Sequence, residues 1–179
     1  MKITITGKHG AGKTSVAKIL AEKLNLKFYY TGQMMRDLAK ERKKSLLELS
    51  EIAKKDISID KEIDEKVIKI GEKEDNFIFD SKIGFYFIPD SIKIFLDVDS
   101  NIAAQRIFFH KRHDEKENIN LEETGKNIKK RLELEGRWKN IYNIDYHDKK
   151  NYDIIINTSN LTIQEVVGKI LKELGKIKK

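Results

Sequence analysis

The run 7-GKHGAGKT-14 packs three glycines, a lysine and a terminal hydroxyl into eight residues, between the apolar opening MKITIT and a stretch whose apolar residues recur with a helical period. It matches G-x-x-x-x-G-K-[ST] with no mismatch, in the strand-before, helix-after setting that the motif requires. Glycines let the main chain curl until its N–H groups face inward around an anion. The positive end of a helix beginning near Lys13 strengthens that field. On this reading Gly7, Lys8, His9, Gly10, Ala11, Gly12, Lys13, Thr14 and Ser15 cradle the phosphates of a nucleotide, with Lys13 on the outer phosphates and the Thr14 hydroxyl on Mg²⁺. The alternatives are a glycine-rich turn that only caps a helix and, for His9 alone, a loop residue facing solvent.

Outward from that loop, short β-rich runs alternate with longer helical patterns. Ile3–Thr6, Lys27–Tyr30, Phe77–Phe79, Ile92–Leu96 and Asp153–Ile156 read as five strands, and Val16, Ile19, Leu20 and Leu24 mark a helix joining the first two. This is the β-α-β grammar of a parallel sheet covered on both faces, an α/β domain. At 179 residues and 39% hydrophobic, the chain suits a single domain over residues 1–179. The net charge of +7 suits anionic partners, or a surface solvated by lysine. Without cysteine there is no disulfide, thiol chemistry or cysteine metal site. The apolar runs are too short for a membrane span and Met1 leads directly into a strand, so the expectation is a cytoplasmic protein without a membrane partner.

A phosphate loop alone does not name an acceptor. The N-K-x-D and D-x-x-G signatures of a GTPase are absent, and the small size points to a nucleotide or metabolite kinase. Such an enzyme needs further cations for its second substrate. In Tyr30-Thr31-Gly32-Gln33-Met34-Met35-Arg36, a tight turn at Gly32 would launch a helix with Arg36 one turn in, where its fork suits a monophosphate or stands as a solvated helix charge.

With GKHGAGKT, YTGQMMR, IDKEIDEKV, FIFDSK, IKIFLDV followed by AAQRIFFHKR, RLELEGRWKNIYNIDY and YDIIINTS in that order, the chain resembles the nucleoside monophosphate kinase superfamily, and within it the archaeal-type cytidylate kinase-like family. The resemblance runs nearly end to end. It implies a P-loop NTPase three-layer fold with a five-stranded parallel sheet in the order 2-3-1-4-5, a helical clamp for the nucleoside monophosphate at about residues 31–71, and a short lid at about 112–124. Within the clamp, Leu46, Leu47, Leu49, Ile52 and Ala53 are packing residues. In the lid, His113 to Glu117 form a polar hairpin or loop.

The resemblance also implies an ATP- and Mg²⁺-dependent monomer that phosphorylates CMP, and dCMP, to the diphosphate. Of the cations around the lid, Arg106, Lys111, Arg112, Arg131 and Arg137, it favours Arg112 and Arg131 for gripping the migrating phosphoryl group. Asp80 would organise Mg²⁺ through its waters, or cap the loop after the third strand. Lys82 stands where the family usually has an arginine for the acceptor phosphate. Thr31, Gly32, Arg36 and Asp64 complete the acceptor side, with Asp60 and Lys61 in the same clamp segment. Asp64 would accept from the cytosine amine, or lie solvated on a charged helix. Asn157 and Thr158 would line the adenine of ATP, or simply end a strand. The alternatives to CMP are another nucleoside monophosphate or a small metabolite. From a different class comes an ATPase acting as an RNA-associated or assembly factor. Nucleic acid is otherwise not expected as a partner.

Overall fold

The computed structural model describes residues 1–110 and 118–177, leaving aside the side chains of Leu46, Leu47, Leu134 and Arg137. In chain order the elements are β1 (Lys2–Gly7), α1 (Lys13–Leu24), β2 (Lys27–Tyr30), α2 (Thr31–Glu41), α3 (Leu46–Ala53), α4 (Ser58–Lys73), β3 (Phe77–Asp80), α5 (Gly84–Phe87), β4 (Ile92–Asp97), α6 (Ser100–Phe109), α7 (Leu121–Glu135), α8 (Arg137–Tyr142), β5 (Ile154–Asn157) and α9 (Ile163–Ile177). The strands form one five-stranded sheet in the order β2-β3-β1-β4-β5, as expected. Pairing is parallel, with Ile5 opposite Asp80 in β1 and β3 and Tyr30 opposite Asp80 in β2 and β3.

Burial explains the strand sequences. β1 and β3 are buried almost throughout, so they read as continuous apolar or small-residue runs. β5, at an edge, alternates buried Ile154 and Ile156 with exposed Ile155. Each of the five strands lies within a residue or so of its expected limits.

The chain divides into two compact units, one of Met1–Thr6 with Ala17–Lys93 and the other of Gly7–Val16 with Ile94–Lys179. The first has its core where Leu38, Ala39, Leu49, Ala53, Ile59, Ile63 and Val67 of α2 to α4 meet Phe77 and Phe79 of β3, with Ile52 packed alongside. Leu49, Ile52 and Ala53 therefore pack as expected, whereas the side chains of Leu46 and Leu47 lie outside the described set. Helix α3 starts in a capping box, Ser45 accepting from the Glu48 N–H while the Glu48 side chain accepts from the Ser45 N–H. In the second unit, α9 buries Val166, Val167, Ile170 and Leu174 along one stripe and opens on a similar Thr162/Glu165 exchange.

One expectation needs correction. No tight turn lies at Gly32: β2 passes directly into α2 at Thr31, and the glycine sits inside the first turn of the helix. Its value is space, because a Cβ there would fall 2.3 Å from the Tyr30 ring. Of the segment 112–124 expected as a lid, Leu121 to Thr124 form the first turn of α7. Residues 111–117, which include Lys111, Arg112 and the expected hairpin, lie outside the described residues.

Candidate functional site

The phosphate loop belongs to the second unit, and its glycines answer to the backbone around them. Gly10 has φ +75° and sits so close to α6 that a Cβ would come 2.7 Å from the Ala103 Cα, so glycine is required on both counts. At Gly7 the main chain lies against the Leu96 carbonyl, which also accepts from the Lys8 N–H at 3.1 Å. Helix α1 opens at Lys13, one residue past the last loop glycine, so its first N–H groups and the positive end of its dipole face the loop. The Lys13 ammonium folds back to donate to the Lys8 carbonyl at 2.9 Å. Thr14 is half-buried and Ser15 exposed at the head of the same helix.

Lys8 and His9 are each committed by their side chains. Lys8 Nζ lies 2.7 Å from Asp97 at the end of β4, and Lys149 reaches the other oxygen of that carboxylate at 3.2 Å. Burial works against the charge on Asp97, but the hydrogen bonds from Lys8 and Lys149 outweigh it and hold the carboxyl below its usual range. His9 does not face solvent: its Nε2 is 2.9 Å from Glu135 at the end of α7, and both side chains are largely buried.

The turn after β5 is held by Arg106 of α6. Its guanidinium donates to the main-chain oxygens of Thr158, Ser159 and Leu161 and to the Thr158 hydroxyl, and lies 3.5 Å from the Gly10 carbonyl. Thr158 is buried, its hydroxyl also donating to the Asp97 carbonyl at 3.1 Å. Asn157 accepts from the Ser159 N–H, closing the turn on itself. Arg131 lies half-buried on α7, one turn before Glu135.

The other expected residues lie in the first unit, Thr31, Gly32, Arg36, Asp80 and Lys82 at or just beyond the carboxyl ends of β2 and β3 and Asp64 on α4. Asp80 is 2% exposed, and its main-chain oxygen accepts from the Thr31 hydroxyl at 3.2 Å. Arg36 donates to the Gly32 carbonyl at 3.0 Å and holds its guanidinium carbon 5.9 Å from the centre of the Tyr30 ring. Lys82 is half-buried just beyond β3. On α4, Asp64 is half-buried, while Asp60, one turn earlier on the same face, is buried at 7% exposure. The carboxyl ends of parallel strands are where open α/β sheets take their ligands.

Sequence reasoning passed over Asp97, Glu135 and Tyr146. For Asp97 a signal existed, because it ends β4 as Asp80 ends β3. Glu135 and Tyr146 carried none, since only the fold shows what they touch.

A family model described as the cytidylate kinase-like family matches residues 2–160 of this chain. The chain belongs to that family. A cytidylate kinase of Methanobrevibacter smithii is 33% identical over 175 residues, covering 97% of this chain and 98% of its own. One of Sulfolobus acidocaldarius is 37% identical over 174 residues, covering 96% and 92%. A shikimate kinase structure from Bacteroides thetaiotaomicron superposes with a TM-score of 0.69 over 98% of both chains at 17% identity, a likeness of fold. This member of the cytidylate kinase-like family therefore has the P-loop NTPase fold and is a nucleoside monophosphate kinase. Among the described residues, no helix is long and apolar enough to cross a membrane.

Proposed function

We propose that this kinase transfers the terminal phosphoryl group of ATP directly to CMP, and to dCMP. An oxygen of the acceptor monophosphate attacks the terminal phosphorus, the bond from that phosphorus to its bridging oxygen breaks, and ADP leaves with the electron pair. Catalysis of such a transfer rests on positioning and on positive charge rather than on a protein nucleophile.

The phosphate loop carries the donor half of this reading. Its N–H groups and the head of α1 take the phosphates, and the Lys13 ammonium moves from the Lys8 carbonyl to the transferred group. Arg131 and Arg112 serve the same charge, Arg112 lying outside the described residues. Asn157 and Thr158 line the adenine through the main chain that Arg106 fixes. Thr14 offers a hydroxyl at the helix head and Asp80 a buried carboxylate, oxygen donors of the kind Mg²⁺ takes, directly or through water. When bound, Mg²⁺ neutralises phosphate charge.

Arg36 and Lys82 hold the acceptor phosphate, with Thr31 and Gly32 shaping the start of α2 around it. Asp64 accepts from the exocyclic amine of cytosine. The kinase works as a monomer on small nucleotides.

The deciding experiment is ADP release from ATP and Mg²⁺ measured across CMP, dCMP, UMP, AMP and GMP. Fast release with the two cytidine nucleotides and slow release with the rest is the expected result. Equal rates with AMP or GMP would overturn the base assignment. Release stimulated by RNA and indifferent to every monophosphate would overturn the reaction.

A further inference from the structure

Glu135 ends α7, the helix that carries Arg131 one turn earlier on the same face. Its two carboxylate oxygens have different partners. One lies 2.9 Å from His9 Nε2 in the phosphate loop, and the other accepts from the Tyr146 hydroxyl. Burial, together with the neighbouring Glu135 carboxylate, pushes the Tyr146 phenol well above its usual range, so this hydroxyl keeps its proton and remains a donor. With Glu135 ionised, the imidazole is the other donor.

The Tyr146 end of this chain of bonds is firmly seated. Tyr152 donates from its hydroxyl to the Tyr146 carbonyl at 2.6 Å, and the Tyr146 ring packs edge-on against Trp138, 5.9 Å between centres. The side chains of His9 and Glu135 are only 17% and 13% exposed, so water competes weakly for the bond between them.

We infer that Glu135 is a positioning residue for the donor nucleotide: through His9 it fixes the crown of the phosphate loop, and the same carboxylate ties that loop to the helix bearing Arg131. The inference rests on the reading that residues 7–14 take the donor's phosphates. His9 acts here through where it holds the main chain, because its imidazole is turned to Glu135. Each N–H of a phosphate loop works only if it points at an oxygen, so a small release of the crown is felt first as lost affinity for the donor.

The test is calorimetric titration of ATP into the whole protein without an acceptor, for wild type, His9→Ala, Glu135→Ala, the double variant, His9→Gln and Glu135→Gln. Each alanine change is expected to weaken ATP on the order of ten-fold, the loss of one hydrogen bond to a charged group. The double variant should be no worse than either single. Glutamine at either position should recover most of the affinity, since its amide still bridges the gap. CMP affinity, titrated separately, should move less than about two-fold in all of them, a split that general loosening of the fold would not produce.

Losses that multiply in the double variant would overturn the inference. So would ATP affinity within about two-fold of wild type in a folded single variant. Should Glu135→Ala fail to fold, Glu135→Gln combined with His9→Ala and His9→Gln is judged by the same rule. ATP binding is read without turnover, so wild type that binds ATP and ignores CMP would sink the acceptor assignment alone. Normal CMP kinase activity with additive losses would sink this inference alone, and wild type that does not bind ATP would sink both.

Discussion

Arg106 holds Thr158 at two points, with Nη1 3.2 Å from the hydroxyl and Nη2 2.8 Å from the main-chain oxygen. The same nitrogen reaches Ser159 and Leu161, so one guanidinium gathers three main-chain oxygens of the turn that follows β5. An ammonium is a point charge without that planar fork. Arg106→Lys is therefore expected to lower stability by roughly 1.5–3 kcal/mol and to raise the ATP KM several-fold while leaving the CMP KM nearly alone. Thermal denaturation and steady-state kinetics with each substrate varied in turn check it. An unchanged melting temperature would show that the turn holds itself.

Lys13→Ala should cost on the order of 10²–10³ in kcat, the usual loss for one preorganised electrostatic contact to a reacting group. The side chain donates to the Lys8 carbonyl of its own loop and is not among the buried core residues, so the circular dichroism spectrum should not change. A variant keeping more than about half the wild-type rate would remove Lys13 from the chemistry.

The acceptor side is separable from the donor side by two substitutions. Arg36→Ala should raise the CMP KM by on the order of ten-fold or more, with a much smaller change for ATP. Lys82→Arg should give an equal or lower CMP KM, because a guanidinium can engage two phosphate oxygens at once. CMP kinetics untouched by Arg36→Ala would place the acceptor phosphate elsewhere.

Asp97 sets an acid limit. Its carboxyl titrates lower in the folded protein than in the unfolded chain, so the stability it contributes is present above about pH 4 and is lost as the pH falls through the folded value. Asp97→Asn should be less stable than wild type at neutral pH, and the difference should shrink on acidification below about pH 4. Urea denaturation at a series of pH values measures it. A gap that stays constant down to the acid limit would mean that the Lys8 and Lys149 contacts contribute nothing through charge.

The strands and the phosphate loop were legible because both are written locally, whereas the order of the strands came from the family resemblance. Strand and helix periods show in consecutive residues, and the loop's glycines are needed by a backbone shape spanning only eight positions. Gly32 misled for the same local reason: glycine after a strand reads as a turn, whereas here it clears room for the Tyr30 ring. The ties that hold the site lie beyond such reading. His9 meets a residue 126 positions away and Gly10 one 96 positions away, and no spacing rule connects them.

That separation also sets a timetable during synthesis. Residues 7–16 are made before residues 94–179, yet they group with them and not with the strand and helices made on either side. Leu96, Asp97, Ala103, Arg106 and Glu135 all emerge later, so a nascent chain stopped short of them carries the motif without these contacts. The contacts that brace the loop are thus complete only once residue 135 has been made, well over a hundred residues after the loop itself.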